Sequence, residues 1–209
     1  MKTLALLGTA LAALAATPAF SQQWYAGASW GSVRTDVDNS RINADLVDNL
    51  GFFTAGTESD TRDSGARIFV GRKLLSWLDA EAYYADLGHT KFTSTVTPAG
   101  SLSVDIRSKA YGIAALAGGS LTGAFRLYGK LALARTESKA GASSTGFVET
   151  LGGVTRNRTG LAYGAGMQYA ITPTISARAE YDVHRDLGDA GMGGKFDART
   201  ISIGALVRF

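Results

Sequence analysis

Hydrophobic and polar residues alternate with a period of two along eight separate segments of this chain, beginning at Trp24 and ending at Phe209. A β-strand with one apolar and one polar face produces this pattern. In the first segment Trp24 and Trp30 share one parity, and in the last Ile201, Ile203 and Phe209 do. The eight predicted strands cover residues 24–31, 66–73, 78–84, 104–114, 125–133, 161–169, 175–184 and 201–209.

The connections between these segments alternate between long and short. Three are tight (75–77, 118–123 and 172–174), two are long (34–63 and 140–156), and two are intermediate (94–100 and 188–196). An up-and-down barrel with both termini on one side of a membrane has short turns on that side and long loops on the other. The predicted fold class is therefore all-β, an eight-stranded antiparallel up-and-down transmembrane β-barrel.

A soluble β-sandwich gives the same alternation, so periodicity alone does not separate the two folds. Aromatic residues favour the barrel, because a membrane barrel carries an aromatic belt at each interface with the lipid headgroups. Four aromatics fall at the predicted periplasmic rim and three toward the other rim: Trp24, Phe125, Tyr169 and Phe209, then Trp30, Tyr84 and Phe196.

The first residues are typical of an export signal. Lys2 precedes an apolar run at 4–16 that is too short to span a bilayer. Small residues at Ala19 and Ser21 predict cleavage before Gln22, with cleavage after Ala19 as the competing site. We expect a signal peptide at 1–21 and one barrel domain at 22–209.

The amino-acid composition excludes several kinds of functional site. Glycine is abundant (26 residues), proline is scarce (3), and cysteine is absent, which rules out disulfides and thiolate metal sites. With only two histidines, His89 and His184, no metal site and no cofactor are expected. Without Lys2 the chain has 20 basic and 18 acidic residues, a balance that gives no reason to expect a nucleic-acid partner.

Several segments resemble the transmembrane domain of OmpA-type outer-membrane proteins. The run from Gly164 to Tyr181 is similar to the family's sixth and seventh strands with their tight turn, and 81–88 and 127–135 resemble its third and fifth strands. The resemblance implies a bacterial outer-membrane location and a monomeric barrel. The peptidoglycan-binding domain of OmpA has no counterpart here, so that activity is not carried over.

The chain ends like the family's assembly signal, which the barrel assembly machinery recognises. The matching residues alternate toward a terminal aromatic: Ile203, Gly204, Ala205, Val207 and Phe209.

Charged residues on the polar parity of the strands predict a charge network in a narrow lumen. An eight-stranded barrel is just wide enough for side chains to fill, and buried charges there must pair. In the resembling family a lumen salt bridge acts as a gate, and Glu81 and Arg178 match its positions, whereas the family's second carboxylate falls on Gln168. The predicted network consists of Arg67, Glu81, Lys109, Lys130, Gln168, Arg178, Glu180 and Asp182.

Three motifs suggest catalysis or phosphate binding but lack the required context. Gly27-Ala-Ser29-Trp-Gly31 matches a nucleophile elbow, which needs a strand-to-helix turn, but it lies within a strand. His184 shares the lumen parity, whereas a lipid-modifying barrel must present its catalytic histidine to the membrane. The glycine-rich run at 188–195 lacks the residues of a phosphate loop. We predict no enzyme activity.

The sequence favours a structural outer-membrane protein with surface loops, serving envelope integrity or adhesion. A narrow low-conductance porin is the alternative, and a lipid-modifying enzyme is a third possibility. The expected partners are outer-membrane lipids, lipopolysaccharide and the barrel assembly machinery. The acidic loop at 34–63 is either a solvated loop or a contact surface for lipopolysaccharide or for a host or phage partner.

Overall fold

The structure is a computed structural model that describes residues 23–36, 54–97, 100–146, 154–185 and 197–209. The predicted signal peptide at 1–21, the predicted connection at 188–196 and Phe196 lie outside the described residues. No helix within the described ranges is long and apolar enough to cross a membrane.

Nine strands make up the described structure, and all of their pairings are antiparallel. In chain order they are β1 (Trp24–Asp36), β2 (Thr54–Asp60), β3 (Arg62–Lys73), β4 (Leu78–Thr97), β5 (Gly100–Ser120), β6 (Phe125–Gly146), β7 (Val154–Ala170), β8 (Ile175–His184) and β9 (Asp197–Arg208).

The strands close into a ring of eight positions. The hydrogen-bonded order is β4-β3-β1-β9-β8-β7-β6-β5, and β5 pairs again with β4. β2 and β3 are successive parts of one barrel strand, because β3 pairs with 79–86 of β4 while β2 pairs with 91–97 of the same strand. The predicted closed, eight-stranded antiparallel barrel is confirmed.

A bulge in β4 marks the junction between β2 and β3. The register of β4 against β5 shifts between Asp86 and His89, and Gly88 has a φ of 74°. A Cβ at Gly88 would lie 2.9 Å from the Ser64 carbonyl oxygen, so glycine suits this position on both counts. Carboxylates secure the bulge, since Asp86 accepts a hydrogen bond from the Gly88 amide at 3.0 Å and Asp63 accepts one from the His89 amide at 2.7 Å.

The strands extend further from the membrane than the hydrophobic pattern predicts. The predicted long connection at 34–63 contains all of β2, and β4 and β5 extend into the predicted connection at 94–100. β6 likewise runs into the predicted connection at 140–156. Beyond the apolar belt the outer face of a strand no longer meets lipid, so polar residues can occupy both faces. The backbone stays paired there while the alternation of hydrophobicity disappears.

Inward and outward positions differ in size as well as polarity. Large apolar side chains such as Trp30, Ile113, Leu131 and Ile203 are exposed on the outside. Inside, tyrosine rings lie across glycine positions on other strands. A Cβ at Gly71 would overlap the Tyr25 ring, and one at Gly166 would overlap the Tyr128 ring. Glycine at these two lumen positions therefore makes room for the aromatic side chains that fill the barrel.

Candidate functional site

An ion pair crosses the full width of the lumen. Arg178 on β8 contacts Glu81 on β4, with Nη1 and Oε1 2.5 Å apart. These two strands are four steps apart in either direction around the ring, so the pair joins opposite walls. The Arg178 side chain is 1% exposed and the Glu81 side chain is fully buried.

Further ion pairs connect this bridge to two more strands. Arg67 on β3 contacts Glu81 at 2.7 Å and Glu180 at 2.8 Å. Lys130 on β6 lies 2.5 Å from Asp182 and 3.5 Å from Glu180. Three cations (Arg67, Lys130, Arg178) and three carboxylates (Glu81, Glu180, Asp182) form one connected network of zero net charge.

Aromatic side chains hold the network in place. Tyr25 donates a hydrogen bond to Glu81, and Tyr128 donates one to Glu180, both at 3.0 Å. The Arg178 guanidinium also lies 4.5 Å from the centre of the Phe69 ring, within the range of a cation–π contact. Each buried charge in the network therefore has at least one partner of opposite charge, as the low dielectric of the interior requires.

A separate ion pair, outside this network, lies toward the periplasmic end of the lumen. Arg126 contacts Asp79 at 2.5 Å beside a cavity of about 310 Å³. The cavity wall includes the turn residues Ser76, Gly123 and Pro173, which places it at the rim with the tight turns. The lumen is therefore hollow at this mouth and filled at the charge network above it.

His184 and Ser29, the two catalytic candidates that the sequence raised, line one small internal cavity together with Asp182. Its volume is about 20 Å³, comparable to one water molecule. Among the described residues, the two His184 ring nitrogens and the Ser29 hydroxyl have no hydrogen-bond partner. The two side chains do not form the hydrogen-bonded nucleophile and base that acyl transfer needs.

Seven of the eight residues predicted for the network are buried in the lumen. Six of them form the ion pairs, and Gln168 is buried beside Arg178 in register and lines the periplasmic cavity.

The inward placement predicted for Lys109 is wrong. On β5 the even-numbered residues face inward, as the buried Ser108 and Ala110 show, so Lys109 lies on the outer face. Polar residues point inward only where the outside is lipid, and Lys109 lies beyond the exposed apolar residues Tyr111 and Ile113. Ile106 is buried and Arg107 is exposed, in keeping with the same alternation along β5.

The residues of the predicted assembly signal lie on β9 and at its end. Ile203 and Ala205 face outward and Gly204 faces inward, while Val207 is buried and Phe209 is half-buried. The Phe209 amide donates to the Trp24 carbonyl oxygen at 2.9 Å, which joins the two ends of the barrel domain. Their recognition by the assembly machinery stays a prediction.

Sequence reasoning missed four members of the site: Tyr25, Asp79, Arg126 and Tyr128. Asp79 shares the parity of Glu81, and Arg126 and Tyr128 share that of Lys130, but parity does not show which side chains reach one another. The inward glycines at 71 and 166 were a signal, because empty positions in a filled barrel indicate large side chains on other strands.

Comparison with known proteins identifies the family. The sequence profile of the outer membrane protein beta-barrel domain matches residues 3–209. The chain belongs to this outer-membrane β-barrel family. It is thus a barrel of the bacterial outer membrane, and members of the family are mostly not enzymes. No curated protein matches the chain in sequence.

Solved structures of outer-membrane proteins share the fold of this family member. Neisserial surface protein A is 17% identical, with a TM-score of 0.59 over 90% of this chain and 98% of that one. AlkL, solved in DMPC bilayers, is 10% identical with a TM-score of 0.55 over 92% and 93%. OprG from Pseudomonas aeruginosa is 14% identical with a TM-score of 0.50 over 90% and 96%.

Proposed function

We propose that the protein is a structural outer-membrane barrel whose lumen is closed, serving envelope integrity or adhesion through the part of the sheet that extends beyond the membrane. The observation that carries this proposal is the charge network across the lumen. Each of its six charged side chains is at most 8% exposed. A water path through the barrel would have to separate these ion pairs.

The extension of the strands supports the second half of the proposal. β4, β5 and β6 contain 20, 21 and 22 residues, whereas about 9–11 suffice to cross the hydrocarbon layer. About half of each strand therefore stands outside the membrane as a paired sheet. A rigid sheet loses less conformational entropy on contact with a partner than a mobile loop does.

Single-channel recording in planar bilayers tests the closed lumen. The refolded full-length chain should give no channel events, and neither should Glu81→Ala, Arg178→Ala or the double variant. Arg72→Gln is the matched control, because Arg72 is exposed on the outer face at the periplasmic rim, over the Trp24 ring. Steady conductance of the wild type would overturn the proposal.

A narrow, low-conductance porin is the second candidate, and the periplasmic cavity favours it. This cavity already forms a hollow segment of about 310 Å³ that ends near the network. Conductance that is absent from the wild type and appears only in the two single variants would support a gated pore instead of a structural plug.

We also propose that the protein is not a lipid-modifying enzyme. The cavity of about 20 Å³ that His184 and Ser29 line is too small for an acyl chain, and both residues face the lumen instead of the membrane. Mass spectrometry of lipid A from cells with and without the protein tests this. A mass change that depends on the protein and is lost in His184→Phe would contradict the proposal.

A further inference from the structure

Cations dominate the wall of the cavity at the periplasmic mouth of the lumen. Lys73 on β3, Arg126 on β6 and Arg208 on β9 all line it. Among the described residues of its wall, Asp79 on β4 is the only carboxylate. The side chains around this space therefore carry three positive charges against one negative charge, a formal excess of two.

The single carboxylate does not cancel this charge. Asp79 contacts Arg126, with Oδ2 and Nη1 2.5 Å apart, and the Tyr25 hydroxyl lies 3.4 Å from the same oxygen. Lys73 is directly opposite Asp79 in register, so two cations lie near one carboxylate, and Arg208 adds a third positive charge. The charge network above the cavity has no net charge, so it does not offset the excess.

One edge of the Arg126 guanidinium has unused hydrogen-bond donors. Nη1 donates to Asp79, whereas Nε and Nη2 are buried and have no hydrogen-bond partner among the described residues. The N–H groups of this edge are parallel, so two oxygens of one oxyanion can accept from both. Buried donors without acceptors cost free energy, and an oxyanion would remove that cost. The side chain is 16% exposed, and a rotation about its own bonds can bring the free edge to the cavity that it lines.

The cavity has the size of a small-molecule site and polar groups that suit an oxyanion. Its volume of about 310 Å³ lies at the lower end of the range for ligand pockets, about 300–1,000 Å³. Ser76, Ser120 and Gln168 also line it, and their hydroxyl and amide groups can donate hydrogen bonds to the oxygens of an anion. The turn residues in its wall place it at the periplasmic rim, so a ligand would enter from the periplasm.

We infer that this cavity binds the phosphate group of a small, soluble phosphate monoester. A phosphate monoester carries a charge of about −1.5 to −2 at pH 7, which matches the formal excess of two in the wall. Its oxygens also match the free edge of the Arg126 guanidinium. A single carboxylate would leave part of the positive charge uncompensated. This inference goes beyond the proposed function and does not depend on it, because the cavity lies on the periplasmic side of the charge network whether or not the lumen conducts.

Two adjacent residues at the end of β3 provide a matched pair of variants. Lys73 lines the cavity, whereas Arg72 lies on the outer face over the Trp24 ring. Both side chains are exposed at the same rim. K73Q and R72Q each remove one positive charge, so the pair separates the cavity from the general charge of the protein.

The experiment measures binding of glycerol 3-phosphate to the folded full-length chain. Isothermal titration calorimetry is carried out in a non-ionic maltoside detergent and a phosphate-free buffer. R126Q/R208Q should weaken binding about tenfold or more, because it removes the charge-assisted hydrogen bonds. K73Q should weaken it about threefold, and R72Q should leave it unchanged. Equal losses in K73Q and R72Q, or no binding by the wild type, would overturn the site.

Asp79→Asn predicts a change of the opposite sign. This variant raises the formal excess of positive charge in the wall from two to three and removes the competing acceptor of Arg126. Glycerol 3-phosphate should therefore bind about threefold more tightly or better. Weaker binding by a folded D79N variant would overturn the charge argument.

Two further probes test the chemical group and its source. Dimethyl phosphate is a diester with a single negative charge, and it should bind at least about tenfold more weakly than glycerol 3-phosphate. Equal binding of the two would overturn the monoester. Phosphatidate in the same micelles presents a phosphate monoester on a lipid and should not displace glycerol 3-phosphate. Displacement at equal concentration would overturn a soluble ligand.

Folding is checked by comparing boiled and unboiled samples on a gel. If R126Q/R208Q or D79N does not fold, the exposed variants K73Q and R72Q and the wild type with both phosphates still decide the inference. Conductance is recorded separately. A conducting lumen would refute the proposed function and leave the binding result standing, whereas a wild type that binds no phosphate would refute only this inference.

Discussion

Arginine has opposite roles in two regions of this barrel. In the lumen Arg67 and Arg178 are buried, and carboxylates on the facing strands neutralise them within hydrogen-bonding distance. On the outer face Arg34 and Arg62 are exposed and lie opposite each other with the same charge. The first arrangement joins facing walls of the barrel, whereas the second places like charges side by side on its outer surface. Burial and the neighbouring charges decide the role of each arginine, and the residue type does not.

The largest expected effect comes from breaking the lumen arrangement. Glu81→Ala leaves both Arg67 and Arg178 without their shared carboxylate, which should lower the free energy of unfolding by about 3–5 kcal/mol. Arg178→Ala in the same chain should recover part of that loss. Urea unfolding in lipid vesicles, followed by tryptophan fluorescence, gives the coupling energy of this double-mutant cycle. A cycle of Glu81→Ala with Arg72→Ala is the control and should show no coupling, because Arg72 is outside the barrel. A coupling of zero between Glu81 and Arg178 would mean that the pair does not hold the two walls together.

Moving an arginine into the apolar belt tests the boundary between the two regions. Ile203→Arg should destabilise the barrel by about 2–4 kcal/mol, because the side chain would lie near the middle of the bilayer. Ile201→Arg, two residues closer to Arg199, should cost less, since the side chain can reach the headgroups. Equal costs at the two positions, measured by the same unfolding assay, would show that the arginine row formed by Arg34, Arg62 and Arg199 does not lie at the membrane edge.

Two tyrosines beside the network differ in whether their hydroxyl group makes a hydrogen bond. Tyr128 donates to Glu180, so Tyr128→Phe should lower the free energy of unfolding by about 1.5–3 kcal/mol. The Tyr83 hydroxyl has no hydrogen-bond partner among the described residues, and Tyr83→Phe keeps the ring that lies 4.6 Å from the Arg67 guanidinium. Tyr83→Phe should therefore be close to neutral. Because both substitutions keep the ring, a similar loss in both variants would mean that the bond to the Glu180 carboxylate is not what makes the Tyr128 hydroxyl stabilising.

The fold was predictable because the bilayer imposes one simple rule: a strand that crosses it carries apolar side chains on its outer face. Outside the hydrocarbon layer that rule no longer holds, which explains the two kinds of error in the sequence analysis. Lys109 was placed in the lumen by a polarity argument that applies only where the outside is lipid. The strand ends in 94–100 and 140–156 were taken for loops because both of their faces are polar.

The sequence predicted most of the residues that belong to the site but not which of them contact one another. Parity placed Glu81 and Arg178 in the lumen, and the family resemblance suggested that they pair. That Arg67 also reaches Glu81 depends on the closure of the ring and on the register between strands, which a single sequence does not encode locally. The arginine row depends on register as well, since 34, 62 and 199 are far apart along the chain.

The smallest expected effect is also the most specific, because it predicts opposite signs on the two sides of the barrel. Lys109→Gln removes a cation that is directly opposite Asp86 and Glu137, so it should lower the free energy of unfolding by about 0.2–1 kcal/mol. Arg34→Gln removes a cation that is directly opposite Arg62 and Arg199, so in vesicles without anionic lipid it should raise that free energy slightly. Both substitutions remove one exposed or half-exposed positive charge and leave a polar side chain of similar length. Both effects should shrink in about 1 M salt, where the screening length falls to about 3 Å. If Arg34→Gln destabilises the barrel, the three arginines do not repel one another, and the contrast between the two sides of the barrel fails.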